Sequence, residues 1–361
     1  MPDVPTVMSH SLSRRGVLSA AAGVAALFAV SACGASDSKS AASSSGSASG
    51  ATDAFPVTVQ HAWGSTTINA APSRIANSGW SGEDAVLALG VVPVGLPKAN
   101  YGVLDKNGLL PWTGEALEKL GATGDKLPKI YDETDSIPTE SIADTDPDLI
   151  LGISSGITQE QYTTLSKIAP TVPYTSKIAW GATWRDVMEV TAKAMGRTAA
   201  GAAVIANCEK AMAEAVAKYP VLKGKSVAVM YIDPKKLSTI GLYTTGDARP
   251  AFMLDLGFTT PASVTAQSQG VDSFYKEISA ENAAVFDDVD IIVVYGDPNS
   301  LITSLQADPL LSKIPAVSRG SVAVIEDGST LASALSPSVL SIPAQVGNLA
   351  AELAKAADKI G

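Results

Sequence analysis

The chain has 361 residues, with 26 Lys and Arg against 36 Asp and Glu, for a formal charge of −10 at neutral pH. At 46% hydrophobic and 17% charged residues it has the composition of a well-packed soluble body, and an acidic chain with no basic cluster is a poor electrostatic partner for nucleic acid or anionic lipid. Two cysteines and two histidines are too few for a disulfide framework or a His/Cys transition-metal cluster.

The N-terminus is an export signal. Ser13-Arg14-Arg15-Gly16-Val17-Leu18 sets a twin-arginine pair ahead of an uncharged run, Gly16 to Ala32, rich in Ala, Val and Leu. A basic head, an apolar stretch and small residues at the end are the parts of a secretory signal, and the paired arginines point to the Tat route. The run is short for a transmembrane span, which needs roughly 20 apolar residues; an uncleaved anchor is the alternative reading. Val30-Ser31-Ala32-Cys33 before Gly34 resembles the bacterial lipobox, in which the Cys thiol is acylated and becomes the mature N-terminus. Residues 1–33 therefore read as a lipoprotein signal with Cys33 lipidated, the only covalent addition expected. Losing Arg14, Arg15 and Asp3 with the leader leaves 24 basic against 35 acidic residues, or −11. Residues 34–54 are almost entirely Ser, Ala and Gly, a composition that cannot repay its ordering entropy and serves as a flexible tether. With Cys33 lipidated, Cys208 has no disulfide partner, and its helical surroundings suit a small buried side chain better than a reactive thiol.

From residue 55 onward, short apolar runs alternate with helical patterns, which favours an α/β architecture. Val57 to His61 and Thr66 to Asn69 suggest a hairpin with Gly64 at its turn. Arg74 to Asn77, Val92 to Leu96, Asp148 to Ile153 and Thr171 to Tyr174 read as strands, with helices near Gly82–Leu89, Glu115–Leu120 and Thr158–Ile168 between them. Two helical patterns follow, Thr183 to Met195 ended by Gly196, and Ala199 to Lys218. After Pro220 the alternation restarts, with strands at Ser226 to Ile232, Ser238 to Leu242, Asp290 to Tyr295 and Ser321 to Ile325. Helices fall near Ala248–Leu256, Ala280–Phe286 and Ser338–Lys359. About 300 residues suffice for two lobes: 55–180 as the first, 181–199 as a linking helix and 200–361 as the second, at a nearly fixed spacing.

Ligands in open α/β sheets gather beyond the carboxyl ends of strands. That rule selects segments carrying Trp80, Tyr101, Trp112, Trp180, Tyr243 and Arg249. Flat apolar faces with one or two fixed cations suit an organic anion or a metal chelate. Core packing explains any one of these aromatics equally well, and Arg249 is equally read as solvated or paired with Asp247.

One catalytic pattern occurs, Gly152-Ile153-Ser154-Ser155-Gly156, in the place of a serine-hydrolase nucleophile elbow. The triad order there requires a His after the Ser, and none follows Ser154; His61 lies far upstream and His10 leaves with the leader. Without a base the serine is not activated, so no catalytic residues and no metal ligands are expected. No P-loop or dinucleotide fingerprint occurs.

Several segments in order resemble the iron–siderophore ABC-transporter substrate-binding lipoproteins. They include Val59-Gln60-His61-Ala62-Trp63-Gly64, Gly79-Trp80-Ser81-Gly82-Glu83-Asp84, Ala88-Leu89-Gly90-Val91-Val92-Pro93, Leu165-Ser166-Lys167-Ile168-Ala169-Pro170 and Thr245-Gly246-Asp247-Ala248-Arg249. The resemblance implies two Rossmann-like α/β lobes joined by a long rigid helix, with the ligand cleft between them. It also implies a monomeric carrier that holds a ferric siderophore and delivers it to an inner-membrane ABC permease and its ATPase. Trp80 and Arg249 lead the implied ligand contacts, followed by Tyr101, Trp112 and Tyr243. In this family one acidic residue per lobe docks on permease arginines; the matching positions are Glu140 and Glu281, although a Glu in a first helical turn is also explained by the helix dipole. Competing expectations are a carrier of cobalamin or another large cofactor on the same scaffold, a secreted serine hydrolase using Ser154, and a lipoprotein that has lost its ligand.

Overall fold

A computed structural model describes residues 53–361; the twin-arginine leader, Cys33 and most of the Ser/Ala/Gly stretch lie outside the described residues. The body begins with an antiparallel hairpin of β1 (Val57–His61) and β2 (Gly64–Ile68), in which His61 pairs with Gly64. Alternation puts Val59, Thr66 and Ile68 inward, where they cover the end of the first lobe.

Two five-stranded sheets follow. The first contains β3 (Ile75–Asn77), β4 (Gly95–Pro97), β5 (Lys129–Tyr131), β6 (Leu149–Leu151) and β7 (Thr171–Val172), all parallel, in the order β5-β4-β3-β6-β7. The second contains β8 (Val227–Tyr231), β9 (Thr239–Tyr243), β10 (Tyr275–Ser279), β11 (Ile291–Gly296) and β12 (Val322–Glu326), in the order β10-β9-β8-β11-β12. Here β8, β11 and β12 are parallel, while β9 and β10 run antiparallel to their neighbours. Each order reverses direction at its first strand, so each lobe has a topological switch point, between β3 and β6 and between β8 and β11. This is the two-lobed Rossmann-like arrangement the sequence led us to expect.

Strand composition follows from burial on both faces. On β8 and β11, Val227, Val229, Ile291 and Val293 enter the large central core, while Ala228, Met230, Ile292 and Val294 enter a separate core on the other face. In the first sheet Ile75, Leu149 and Leu151 join the central core, and Ala76 and Ile150 the opposite one. Sheets covered on both sides read as continuous apolar runs, as these do. The helix Ser341–Ala357 buries Ile342, Val346, Leu349, Ala350 and Leu353, one stripe at helical spacing, against the same central core.

Between the sheets the chain forms two helices. Trp184–Ala194 starts in a capping box of Thr183 and Asp186 and stops at Met195, before Gly196 at φ +64. Thr198–Val216 then runs for 19 residues. The segment 181–199 thus contains one short helix and the start of a second, longer one, because Gly196 turns the chain where Phe55 packs against it. Trp184 is 2% exposed and donates Nε1 to Asp255 Oδ2 at 2.7 Å; Arg185 lies over its ring and bridges Glu209 and Asp255, tying both helices to the second lobe. Cys208 on the longer helix is buried, with Sγ 3.4 Å from the Val339 carbonyl, and burial pushes its thiol up to about 11.

The edge strands β5 and β10 and the short helices Thr139–Ala143, Ala262–Ser268, Leu301–Ala307, Pro315–Arg319 and Thr330–Ala334 extend the sequence-based outline. The segment Ala280–Phe286, expected as a helix, is a 3-10 helix. Among the described residues no helix is long and apolar enough to cross a membrane.

Candidate functional site

A cleft of about 360 Å³ opens beyond the carboxyl ends of both sheets, lined from the first by residues after β3, β4, β5 and β6 and from the second by residues around β9, β11 and β12. Its chemistry differs on the two sides.

On the second lobe the centre is Arg249. After β9, Thr244 donates Oγ1 to the Ser273 carbonyl, and Asp247 caps the helix Ala248–Asp255 by accepting from the Arg249 backbone N–H at 2.8 Å. The other Asp247 oxygen takes the Arg249 side chain, with Nη1 at 2.8 Å, while Nε donates to Tyr295 Oη at 2.9 Å. The guanidinium also stacks 4.3 Å from the centroid of the Tyr243 ring. Three neighbours therefore fix the fork, and Nη2 has no hydrogen-bond partner among the described residues. It is a spare donor on a residue that lines the cleft. Burial pushes the Tyr295 hydroxyl up to about 12, against the pull of Arg249, so it acts as an uncharged acceptor.

On the first lobe the wall is built by tight backbone packing. Trp80 donates its backbone N–H to the Ser154 carbonyl at 2.8 Å, which locks the loop after β3 to the loop after β6. Gly79, at φ +89, makes this possible: a Cβ there would stand 2.2 Å from the Ser154 carbonyl oxygen. Gly156 plays the same part beneath Trp180, whose indole would collide with any side chain at that position. Trp180 itself is 43% exposed and sits at φ +64, an uncommon conformation for a bulky residue, with its ring on the cleft lip. Trp80 reaches across to the second lobe, Nε1 lying 3.4 Å from the Ser336 carbonyl.

The floor on this side is acidic. Glu133, after β5, accepts from Gly79 N at 2.8 Å and Ser78 Oγ at 3.2 Å through Oε2, and its Oε1 is buried without a partner. Glu83, at the start of the helix Glu83–Ala88, is 6% exposed and its Oε2 is likewise unpartnered. Burial pushes Glu133 up to about 7, the Gly79 and Ser78 hydrogen bonds opposing it; burial and the neighbouring Asp84 hold Glu83 well above the usual carboxylate range.

Trp80, Tyr101 and Arg249 line the cleft. Tyr101 spans it, donating to Asp327 Oδ1 at 2.6 Å and accepting from Gly328 N at 3.0 Å. Tyr243 stands behind Arg249, edge-on to Tyr275 and Tyr295, and supports the guanidinium from outside the lining. Trp112 is not on the lining: at 5% exposure it packs with Leu110 and Ala334 against Trp80, because its helix Pro111–Lys119 turns that face into the core. Glu140 and Glu281 are exposed, each in a first helical turn, one on each lobe. Ser154 is on the cleft edge, and His61 is engaged elsewhere, with Nε2 3.0 Å from Thr66 Oγ1 and its ring against Tyr162. Among the described residues no group of three or more His, Cys, Asp or Glu could hold a metal ion. Sequence reasoning missed Glu83, Glu133, Phe274 and Tyr295 as lining residues. Of these, Tyr295 alone carried a usable signal, its place at the carboxyl end of the apolar run of β11.

Residues 75–327 match the protein family described as periplasmic binding protein. The chain is 32% identical over 239 residues to a probable siderophore-binding lipoprotein of Bacillus subtilis, YfiY; the match covers 65% of each chain, just under two thirds of that relative's length. It is 27% identical over 274 residues to the ferric enterobactin-binding periplasmic protein FepB of Escherichia coli, covering 73% of this chain and 81% of that one. The crystal structure of Streptococcus pneumoniae PiaA in complex with ferrichrome superposes with a TM-score of 0.78 at 39% identity, covering 84% of this chain and 99% of PiaA.

The buried floor carries a pH signature. A carboxyl whose folded pKa is raised contributes stability that is present below its unfolded value and lost as pH rises through the folded one, here from the ordinary 4.5 to about 7. Replacing Glu133 with Gln is therefore expected to leave stability unchanged near pH 4 and to raise it by on the order of 2–3 kcal/mol at about pH 8. Urea unfolding across that range checks this, and curves that stay parallel would remove Glu133 as the source.

Proposed function

The chain belongs to the periplasmic binding protein family, and on that premise we propose that it captures a ferric siderophore outside the cytoplasm and hands it to an ABC permease and its ATPase. The observation that carries this reading is Arg249, held on three sides with its Nη2 donors unspent, on the lining of an aromatic-walled cleft. A ferric chelate presents ligand oxygens to such a donor and apolar arms to Trp80, Trp180 and Phe274. The names of YfiY, FepB and PiaA support the same substrate class.

Charge narrows the chelate. Arg249 and Lys98 on the lining stand against Asp247 and the two carboxyls Glu133 and Glu83, which burial holds toward the neutral form, so the cleft carries at most one net positive charge. Iron(III) cancels the charge of three hydroxamates but leaves a triscatecholate strongly negative. The cleft therefore suits a ferric trihydroxamate, and the ferrichrome bound by PiaA is in keeping with that choice.

Delivery would use the two lobes together. Glu140 heads the helix Thr139–Ala143, and Glu281 follows Ser279, whose side chain caps the turn. Both carboxylates are exposed and free to meet permease arginines. Lipid on Cys33 would hold the carrier at the membrane, raising its effective concentration beside the permease.

Arg249→Ala is expected to weaken ferric-trihydroxamate binding about tenfold or more, the worth of a charge-assisted hydrogen bond; an unchanged Kd in tryptophan-fluorescence titration removes Arg249 from the site. Reversing both Glu140 and Glu281 to Arg should leave that Kd intact and stop cellular iron uptake, and normal uptake by the double variant would end the docking assignment. Cys33→Ala is expected to shift the mature protein from the membrane fraction to the soluble one, as fractionation would show.

A further inference from the structure

Three polar side chains, Asn77 and Glu83 buried and Glu133 half-buried, meet at the carboxyl end of β3 with capacity to spare. Glu83 and Glu133 line the cleft and each keeps one buried oxygen, Oε2 and Oε1, without a hydrogen-bond partner. Asn77, fully buried, has neither Oδ1 nor Nδ2 satisfied, and its Nδ2 lies against Gly82, the residue before Glu83. Buried polar groups are nearly always paired, so unpaired ones clustered on a cleft floor call for a partner that the protein itself does not supply.

The other ionisable groups nearby limit what that partner is. Asp84 follows Glu83 on its helix but is already occupied by Thr113 and Ser338. Tyr131, on β5, spends its hydroxyl on the Asn77 carbonyl. Lys98, on the lining, is mostly exposed and faces Asp132 at 3.9 Å, while Arg249 across the cleft is committed to Asp247 and Tyr295. Among the described residues no cation therefore serves the Glu83–Glu133 pair. Against the ionised pair an anionic group is repelled and a carbonyl adds only a further acceptor. What fits is a donor-only group with positive charge. A primary ammonium carries three N–H donors and no acceptor, and its hydrogen bonds to carboxylates are charge-assisted.

We propose that Glu83 and Glu133 form a subsite for a primary ammonium group on the periphery of the bound chelate, with Asn77 behind them. The inference rests on the siderophore reading and sharpens it: the preferred ligand is a ferric trihydroxamate bearing a free amine. Ammonium binding favours the ionised carboxylates and so releases protons. Affinity for an amine-bearing chelate accordingly rises with pH through the range in which Glu133 ionises in the empty cleft, and flattens above it.

The test compares a linear ferric trihydroxamate carrying a terminal amine with the same chelate N-acetylated, each titrated by tryptophan fluorescence. On the unaltered protein at about pH 8 the amine form should bind at least tenfold tighter, and the gap should close below about pH 6. Glu133→Gln and Glu83→Gln, made separately, should each draw the two Kd values together. Equal Kd values for the two chelates on the unaltered protein at pH 8 would overturn the subsite and leave the siderophore reading standing. A gap that persists in both variants would also overturn it. Binding of neither chelate would refute the trihydroxamate reading and the subsite with it.

Discussion

Asp84 has none of its surface exposed, yet it lies where the two lobes meet. One carboxylate oxygen accepts from Thr113 at 2.8 Å, within the first lobe; the other accepts from Ser338, which arrives from beyond β12. Ser338 is held in turn by Ser341, its backbone N–H donating to Ser341 Oγ at 2.8 Å and its Oγ accepting from Ser341 N at 3.0 Å. Burial pushes Asp84 up to about 6 even with these donors in place. Stripping either hydroxyl away would leave a buried carboxyl group unsatisfied, at a cost of several kcal/mol. The lobes cannot part at this point without meeting that cost.

Other crossings limit motion in the same way. Tyr101 to Asp327 and Gly328 closes one edge of the cleft, Trp80 to Ser336 another, and Trp184 to Asp255 fixes the helices between the sheets. One apolar core runs without interruption from Ile75 and Leu149 through Met188, Cys208 and Met212 to Val229, Ile291 and Leu349. A wide hinge would have to break this core, since packed interiors are not continuously deformable. The cleft is therefore largely preformed. Selectivity must come from what lines it, and adjustment from side chains on its lip such as Trp180.

How much of this was legible in the sequence depended on burial. Central strands such as Ile291–Gly296 and Val227–Tyr231 are covered on both faces and announce themselves as apolar runs. Edge strands with exposed positions, such as Lys129–Tyr131 and Tyr275–Ser279, carry no such run and were invisible. The rule that ligands collect beyond strand ends located Trp80, Tyr101 and Arg249. It could not separate Trp112 from them, because an aromatic on a helix declares its size but not which way its face turns. Glu83 and Glu133 were illegible for a related reason: a carboxylate in sequence reads as surface, whereas packing leaves Glu83 buried and Glu133 half-buried on the cleft lining.

The two sides of the cleft are thus in different electrostatic states. Arg249 enters with its charge already met by Asp247, Tyr295 and the Tyr243 face, so a ligand adds one bond to a fixed fork and little has to rearrange. The acidic floor is the reverse, with desolvation endured and hydrogen-bonding capacity unspent at Glu83, Glu133 and Asn77. Groups held this way destabilise the empty protein, and such arrangements persist where function uses them. A ligand that satisfies the floor recovers free energy the fold has forgone, whereas one that meets only Arg249 does not. The floor, more than the arginine, is then the part of the cleft best able to tell one ligand from another.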